Sequence, residues 1–156
     1  MAANKVDMPR KKVPPPLELV KSRIEERLPP DAREEIEGGA LLVDVRSAER
    51  FQAGQIEGAV NLDAGQSAVD AHGEEFAEKV ERAAGDRSRR LILYCGEGNR
   101  SARASDALRN EHGFENVASV IGGVKLWSEL GLPIEGEIVV GDEEAETQYS
   151  GEEDTT

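Results

Sequence analysis

Cys95 is the only cysteine in 156 residues, and it sits where an apolar run, Leu91-Ile92-Leu93-Tyr94, meets a short loop, Gly96-Glu97-Gly98-Asn99-Arg100. A helical pattern begins at Ser101. A strand that breaks into a tight loop at a helix N-terminus converges backbone N–H groups on one point, and a thiol occupies that point. Amides and the positive end of a helix dipole stabilise an anion, so they favour thiolate over thiol. Such surroundings take a cysteine pKa from about 8.5 to roughly 3.5–7.5, which makes it a nucleophile at neutral pH. The competing reading is a small buried residue at a strand end, as free cysteines often are. The flanking glycines favour the nucleophile, because they let backbone crowd one atom.

The elements that must position this loop follow from the hydrophobic pattern. Residues 1–13 show no apolar periodicity and are expected to be disordered, with Lys5, Arg10, Lys11 and Lys12 forming a basic cluster. Apolar residues at 17, 20, 24 and 28 predict a leading helix over 14–29, stopped by Pro29-Pro30. Asp31-Ala32-Arg33-Glu34 reads as a capping box that opens a second helix, ended by Gly38-Gly39. Ala40 to Val45 predicts a buried strand, and Ser47 a helix N-cap with Gly54 at that helix's end. Ala59 to Leu62 is a further short strand, and 63–73 a loop or ragged helix. Glu74 to Ala84 is helical, with Phe76, Val80, Ala83 and Ala84 on one side. Leu91 to Tyr94 and Val117 to Ile121 are strands, with helices over Ser101 to His112 and Val124 to Leu130. Alternation of this kind predicts an α/β fold with a parallel sheet of four to five short strands and helices on both faces. Ligands bind such sheets beyond the carboxyl ends of the strands, where Cys95 falls.

Composition narrows the function classes. The net charge is −13, and nine acidic residues with no Lys or Arg lie from Glu135 onward, leaving −4 for residues 1–134. That balance argues against nucleic-acid binding. Residues 137–156 are expected to be an acidic, disordered tail. No stretch approaches the ~20 apolar residues of a membrane span, and Val13-Pro14-Pro15-Pro16 stands where a secretory h-region would be. A lone cysteine excludes an internal disulfide and fits a reducing cytoplasm. A cytoplasmic monomer is expected.

Three stretches, in order, resemble the single-domain rhodanese-like sulfurtransferases over roughly residues 30–136. Leu42-Val43-Asp44-Val45-Arg46 with Glu49-Arg50-Phe51 and Gly54-Gln55-Ile56-Glu57-Gly58-Ala59 resembles the family's first signature. Tyr94-Cys95-Gly96-Glu97-Gly98-Asn99-Arg100-Ser101 resembles its active-site loop. Gly122-Gly123, Trp127 and Gly131-Leu132-Pro133 resemble its C-terminal signature. The resemblance implies a rhodanese-like fold and a Cys95 that accepts a sulfane sulfur as a persulfide. The donor would be thiosulfate or a thiol-bound persulfide, and the acceptor a thiol, cyanide or a protein. It implies no cofactor and no metal. Asp44 and Arg46 would be supporting residues that fix neighbouring loops.

The residues accommodate that chemistry. Amides from Gly96 to Ser101 can hold an anionic persulfide sulfur, and no general base is needed if Cys95 is already thiolate. His72 and His112 lie beside Gly73 and Gly113 near helix ends, which suits surface or capping roles. Trp127 falls on the apolar side of its helix with Val124 and Leu130 and reads as core. Arg100 offers charge-assisted hydrogen bonds to an anionic donor, against a surface ion pair worth about 0–1 kcal/mol. Glu97 opposes a dianion unless it faces outward or pairs with Arg100. Phosphatases and arsenate reductases of this fold resemble a cysteine, five residues and an arginine, whereas four residues separate Cys95 from Arg100. The tighter loop favours sulfur over a tetrahedral oxyanion. With no resolving thiol in the chain, a persulfide must be discharged by an external acceptor. The alternative from another class is a rhodanese-like binding or regulatory module, its tails recruiting partners. Family members often carry His-Ile-Pro-Gly-Ala where this chain has Gln55-Ile56-Glu57-Gly58-Ala59, a change expected to loosen that turn.

Overall fold

Runs such as Leu91–Tyr94 and Leu41–Asp44 lack polar alternation, so both their faces must be covered, the situation of a strand inside a parallel sheet. The computed structural model describes residues 13–65, 71 and 73–138. Its elements in chain order are α1 (Leu17–Ser22), β1 (Glu25–Arg27), α2 (Pro29–Glu37), β2 (Leu41–Asp44), α3 (Ala48–Ala53), β3 (Gly54–Ile56) and β4 (Val60–Asn61). There follow α4 (Glu74–Ala84), β5 (Leu91–Tyr94), α5 (Asn99–Glu111), β6 (Val117–Val120), α6 (Gly123–Glu129) and β7 (Ile134–Gly136). Five strands form one parallel sheet in the order β1-β6-β5-β2-β4. β5 is its centre, with Asp44 in register with Tyr94 and Leu93 with Ser119.

Helices cover both faces. One core cluster joins Phe76 and Val80 of α4 and Ala104 and Leu108 of α5 to Val43, Leu91, Leu93 and Cys95. The other joins Ala32 of α2 and Val124 and Trp127 of α6 to Ile92, Tyr94 and Val120. Trp127 is core, as its helical position suggests, and its indole N–H donates to Pro133 O at 2.9 Å. On α4 the buried set is Phe76, Ala77, Val80 and Ala84, so Ala77 takes the place expected of Ala83, which is exposed.

The predicted leading helix over 14–29 ends at Ser22, and residues 25–27 run as an edge strand on β6. Pairing wins there over helical periodicity, because β6 would otherwise present unpaired amides and carbonyls along its edge. Ion pairs fasten the strand: Arg27 and Arg90 both reach Glu35, and Arg90 and Arg109 reach Glu25. Pro29-Pro30 opens α2 instead of stopping a helix, since prolines in a first turn lack only amides that would be unpaired anyway. Asp31 therefore lies in that first turn, and the capping box is not the start. α5 begins two residues before the predicted Ser101.

β3 and β7 have no counterpart in the sequence reading. They pair antiparallel over three residues apiece, too few to leave a periodicity. Glycine is required at Gly54, where a Cβ would lie 2.2 Å from Glu137 O. The expected disordered basic start, the stretch 66–70, His72 and the acidic tail from 139 onward lie outside the described residues. No described helix is long and apolar enough to cross a membrane.

Glu35 accepts from Arg90 Nε at 2.7 Å and Arg27 Nε at 2.8 Å, and these hold its pKa below the ordinary 4.5, Arg90 contributing most. A depressed folded-state pKa means stabilisation that is complete above the unfolded pKa and is lost as pH falls through the folded one. Glu35→Gln should therefore lower the urea midpoint at pH 7, and the two proteins should converge as pH drops below 4.5. An equal separation at pH 7 and pH 3 would show that the ion pairs are not its source.

Candidate active site

The turn from β5 into α5 supplies two backbone amides to the Cys95 sulfur. Cys95 follows the last residue of β5 and is fully buried. Gly98 N–H donates to its Sγ at 3.1 Å and Ser101 N–H at 3.2 Å. The thiol in turn donates to Ser101 Oγ at 3.4 Å. Gly98 is the N-cap of α5 and has no side chain to take the helix's unpaired first-turn amides. The sulfur takes the Ser101 amide instead. Gly98 adopts φ 102°, a left-handed turn that swings its own N–H onto the same atom.

α6 holds the loop from behind. Val124 N–H donates to Cys95 O at 2.9 Å and Lys125 N–H to Gly96 O at 3.0 Å. With those carbonyls pinned outward, the loop amides are left facing the sulfur. Gly122 and Gly123 make this approach possible at φ 77° and 61°. A Cβ on Gly123 would stand 2.5 Å from both carbonyl oxygens. The sequence places the two glycines in a C-terminal signature and does not by itself reveal their contact with the Cys95 loop. A glycine pair between a strand and a helix start is the signal that a backbone passes close by.

The remaining loop residues divide by exposure. Glu97 is exposed, the outward-facing option of the two open to it, and Gly96 is buried. Asn99 is half-buried. Arg100 is not a surface residue: it is buried, and its Nη1 donates to Gly65 O at 2.7 Å. It therefore ties the site to the loop after β4, which Asp63 tightens by accepting from Gly65 N–H at 2.7 Å. His112 stands at the C-cap of α5, and its carbonyl accepts from Arg87. Of the amides from Gly96 to Ser101 expected around the sulfur, those of Gly98 and Ser101 reach it.

Asp44 and Arg46 form a buried ion pair, 0 % and 1 % exposed. Arg46 donates through Nε to Oδ1 at 3.0 Å and through Nη2 to Oδ2 at 2.7 Å, and Nη2 also reaches Gly54 O at 2.7 Å. The guanidinium lies 5.6 Å from the Tyr94 ring centre, and the Tyr94 hydroxyl accepts from Ile56 N–H at 3.0 Å. Burial, then the Asp44 charge, keeps that phenol neutral far above its ordinary range. The pair thus fixes β3 and the residue before Cys95. The turn after Ile56 closes without proline, Ala59 N–H donating to Ile56 O at 3.2 Å and Gly58 taking φ 88°. Among the described residues no cluster of His, Cys, Asp or Glu could hold a metal.

A family model described as a rhodanese-like domain matches residues 28–130. The chain belongs to the rhodanese-like domain family. The thiosulfate sulfurtransferase GlpE of Pseudomonas savastanoi pv. phaseolicola is 36 % identical over 102 residues, 65 % of this chain and 85 % of that protein. The GlpE of Actinobacillus succinogenes is 40 % identical over 96 residues, 62 % of this chain and 76 % of that protein. Among solved structures, the polysulfide-sulfur transferase homodimer of Wolinella succinogenes has TM-score 0.62 at 22 % identity, covering 78 % of this chain and 85 % of that one. That last likeness is one of fold.

Two outcomes test how this rhodanese-like site is held. Gly123→Ala forces a side chain into backbone at a left-handed φ, so it should destabilise by about 2 kcal/mol or more and cut sulfur transfer at least tenfold. Gly131→Ala, at φ 78° with open space around it, should cost stability without touching activity. Equal activity loss in both would show that α6 does not support the loop. Asp44→Ala leaves a buried guanidinium unpaired and should cost about 3–5 kcal/mol in denaturant unfolding. A loss under about 1 kcal/mol would place the pair with exposed ones.

Proposed function

We propose that this rhodanese-type sulfurtransferase carries its sulfur as a persulfide on Cys95. The observation behind this is the convergence of two backbone N–H donors on Sγ, beside a Ser101 hydroxyl within reach that can turn its hydrogen to an anionic sulfur. In the first half-reaction the Cys95 thiolate attacks the sulfane sulfur of a donor. An S–S bond forms, and the donor's own bond to that sulfur breaks, its electron pair leaving as sulfite from thiosulfate or as a thiolate from a persulfide. In the second, a nucleophilic acceptor attacks the outer sulfur, and the S–S pair returns to Cys95 as thiolate. One negative charge sits on the site before and after each step, so fixed dipoles serve throughout without reorganising.

The GlpE names of the relatives support thiosulfate as a donor for this chain. A thiol-bound persulfide is the second donor of this reading. The exposed Glu97 carboxylate at the loop repels an approaching dianion, and it does so less at high salt. A thiol, cyanide or a sulfur-accepting protein completes the cycle, because the chain has no second cysteine. One chain is the working unit of this reading. A reducing cytoplasm keeps such a lone thiol available.

Intact mass after incubation with thiosulfate, and separately with a thiol-bound persulfide, tests the proposal beside Cys95→Ser. The expected product is heavier by one sulfur, returns to the starting mass with cyanide, and is absent in the variant. Folded wild type with a free thiol that gains sulfur from neither donor would sink the persulfide route. It would favour a binding module, whose partners would also survive Cys95→Ser.

A further inference from the structure

β6 is buried along its whole length, and Val117-Ala118-Ser119-Val120 places one hydroxyl among three apolar side chains. Ser119 is fully buried. A hydroxyl at such a place is unfavourable unless hydrogen-bonded. Its one partner among the described residues is Ser101 Oγ, at 2.8 Å. Ser101 Oγ lies in turn 3.4 Å from Cys95 Sγ and 3.4 Å from Gly98 O. The three side chains thus form a line from the middle of the sheet to the reacting sulfur.

We propose that Ser119 is a positioning residue, which orients the Ser101 hydroxyl so that it donates to Cys95 when the sulfur is an anion. The proposal rests on Cys95 being the sulfur carrier. Hydroxyls donate one hydrogen and accept two, so the line can run in either sense. With Cys95 protonated, S–H donates to Ser101 Oγ, and the Ser101 hydrogen passes to Ser119 Oγ or Gly98 O. Once the thiol proton has left for water, the sense reverses. Ser119 O–H donates to Ser101 Oγ, and Ser101 O–H donates to Sγ. Without Ser119, the Ser101 hydrogen has Gly98 O as a standing competitor. With Ser119 donating, one lone pair of Ser101 is occupied and its hydrogen is directed at sulfur. A chain of this kind is also polarised end to end, which strengthens the bond at the charged terminus.

Charged groups on the neighbouring elements have bonds of their own or lie apart from Ser119, whose described side-chain partner is Ser101. They are Glu97 and Arg100 on the loop, the Asp44–Arg46 pair on β2, Lys125 on α6, and Glu26, which stands in register with Ser119 on β1 and pairs with Lys21. On α5, Asp106 is engaged by Arg23, and Arg103 donates to Pro15 O. Substituting Ser119 leaves all of these contacts in place, so an effect on Cys95 can be read as an effect of the hydroxyl.

The test is the pH dependence of Cys95 alkylation by iodoacetamide, which reads the thiolate whether or not sulfur is transferred. Losing a donor to the charged form raises a pKa. Ser119→Ala should move the midpoint up by about 0.5–1 unit, and Ser119→Thr, which keeps the hydroxyl, should restore it. Ser101→Ala should move it at least as far, and adding Ser119→Ala to that variant should move it no further. Ser105→Ala, which removes another buried hydroxyl from α5, should leave the midpoint unchanged. Sulfur uptake by Ser119→Ala should fall severalfold at pH 7 and recover near pH 9 if Cys95 is the carrier. A wild-type midpoint in folded Ser119→Ala would overturn the proposal. So would a second, additive shift in the Ser101→Ala background. Absence of sulfur uptake in every protein, with the alkylation shift intact, would count against the persulfide route and leave the positioning role standing.

Discussion

Two orphan amides at the start of α5 end on one sulfur atom, and most of what surrounds them exists to keep them there. A helix start normally finds a side-chain oxygen for those donors. Here the N-cap is a glycine, and the acceptor arrives from the preceding strand three residues earlier. This arrangement needs the loop carbonyls turned away from the sulfur, and the first amides of α6 turn them. The glycine at 123 is there because two backbones meet at a distance that admits no side chain. The Cys95 loop and the helix after β6 are therefore one unit, although they lie far apart in sequence.

The parallel sheet decides where that unit sits. β5 lies between β2 and β6, so its carboxyl end is flanked by Asp44 on one side and by the turn into α6 on the other. Asp44 and Arg46 occupy the β2 side as a buried ion pair. Such a pair is poor evidence for stability, because desolvation offsets most of its attraction. Its worth here is geometric. Arg46 reaches Gly54 O and lies beside Tyr94, Tyr94 accepts from Ile56, and Asn61 donates to the carbonyls of Asp44 and Arg46. The guanidinium thereby holds β3 and the residue before Cys95, while the backbone carbonyls of Asp44 and Arg46 hold β4 through Asn61.

Much of this was legible in the sequence, for reasons that can be named. β5 is an unbroken apolar run, and β2 and β6 are apolar but for Asp44 and Ser119, a pattern that a doubly covered sheet accommodates. The Ser47 cap operates as read, accepting from Arg50 N–H. The cysteine's position between a strand and a glycine loop marked the point where the amides of Gly98 and Ser101 converge. What escaped was set by tertiary partners. β1 has the composition Glu-Glu-Arg and is a strand because β6 had an open edge and Glu35, Arg90 and Arg109 stood ready to neutralise its charges. β3 and β7 are strands because each is the other's partner. Arg100 reads from sequence as a cation for a donor, and only the fold reveals that Gly65 O lies within its reach.

The division of labour between dipoles and charges bears on which anion the site suits. The described groups on Sγ are N–H and O–H dipoles, while the guanidinium of Arg46 is matched by Asp44 and that of Arg100 is turned to a backbone carbonyl. Partial charges that cannot move suit a monoanion that remains a monoanion, as a thiolate does when it becomes a persulfide and reverts. A phosphate or arsenate held by its oxygens gathers more charge than two amides and a hydroxyl offset, and sites for it recruit arginine in bidentate geometry, whereas thiosulfate need present only its outer sulfur. With four residues between Cys95 and Arg100, the loop closes on the sulfur itself and leaves its amides no wider cradle to line. Loop length and electrostatics thus select the same chemistry for separate physical reasons: the backbone is folded around an atom, and the field it makes fits one charge.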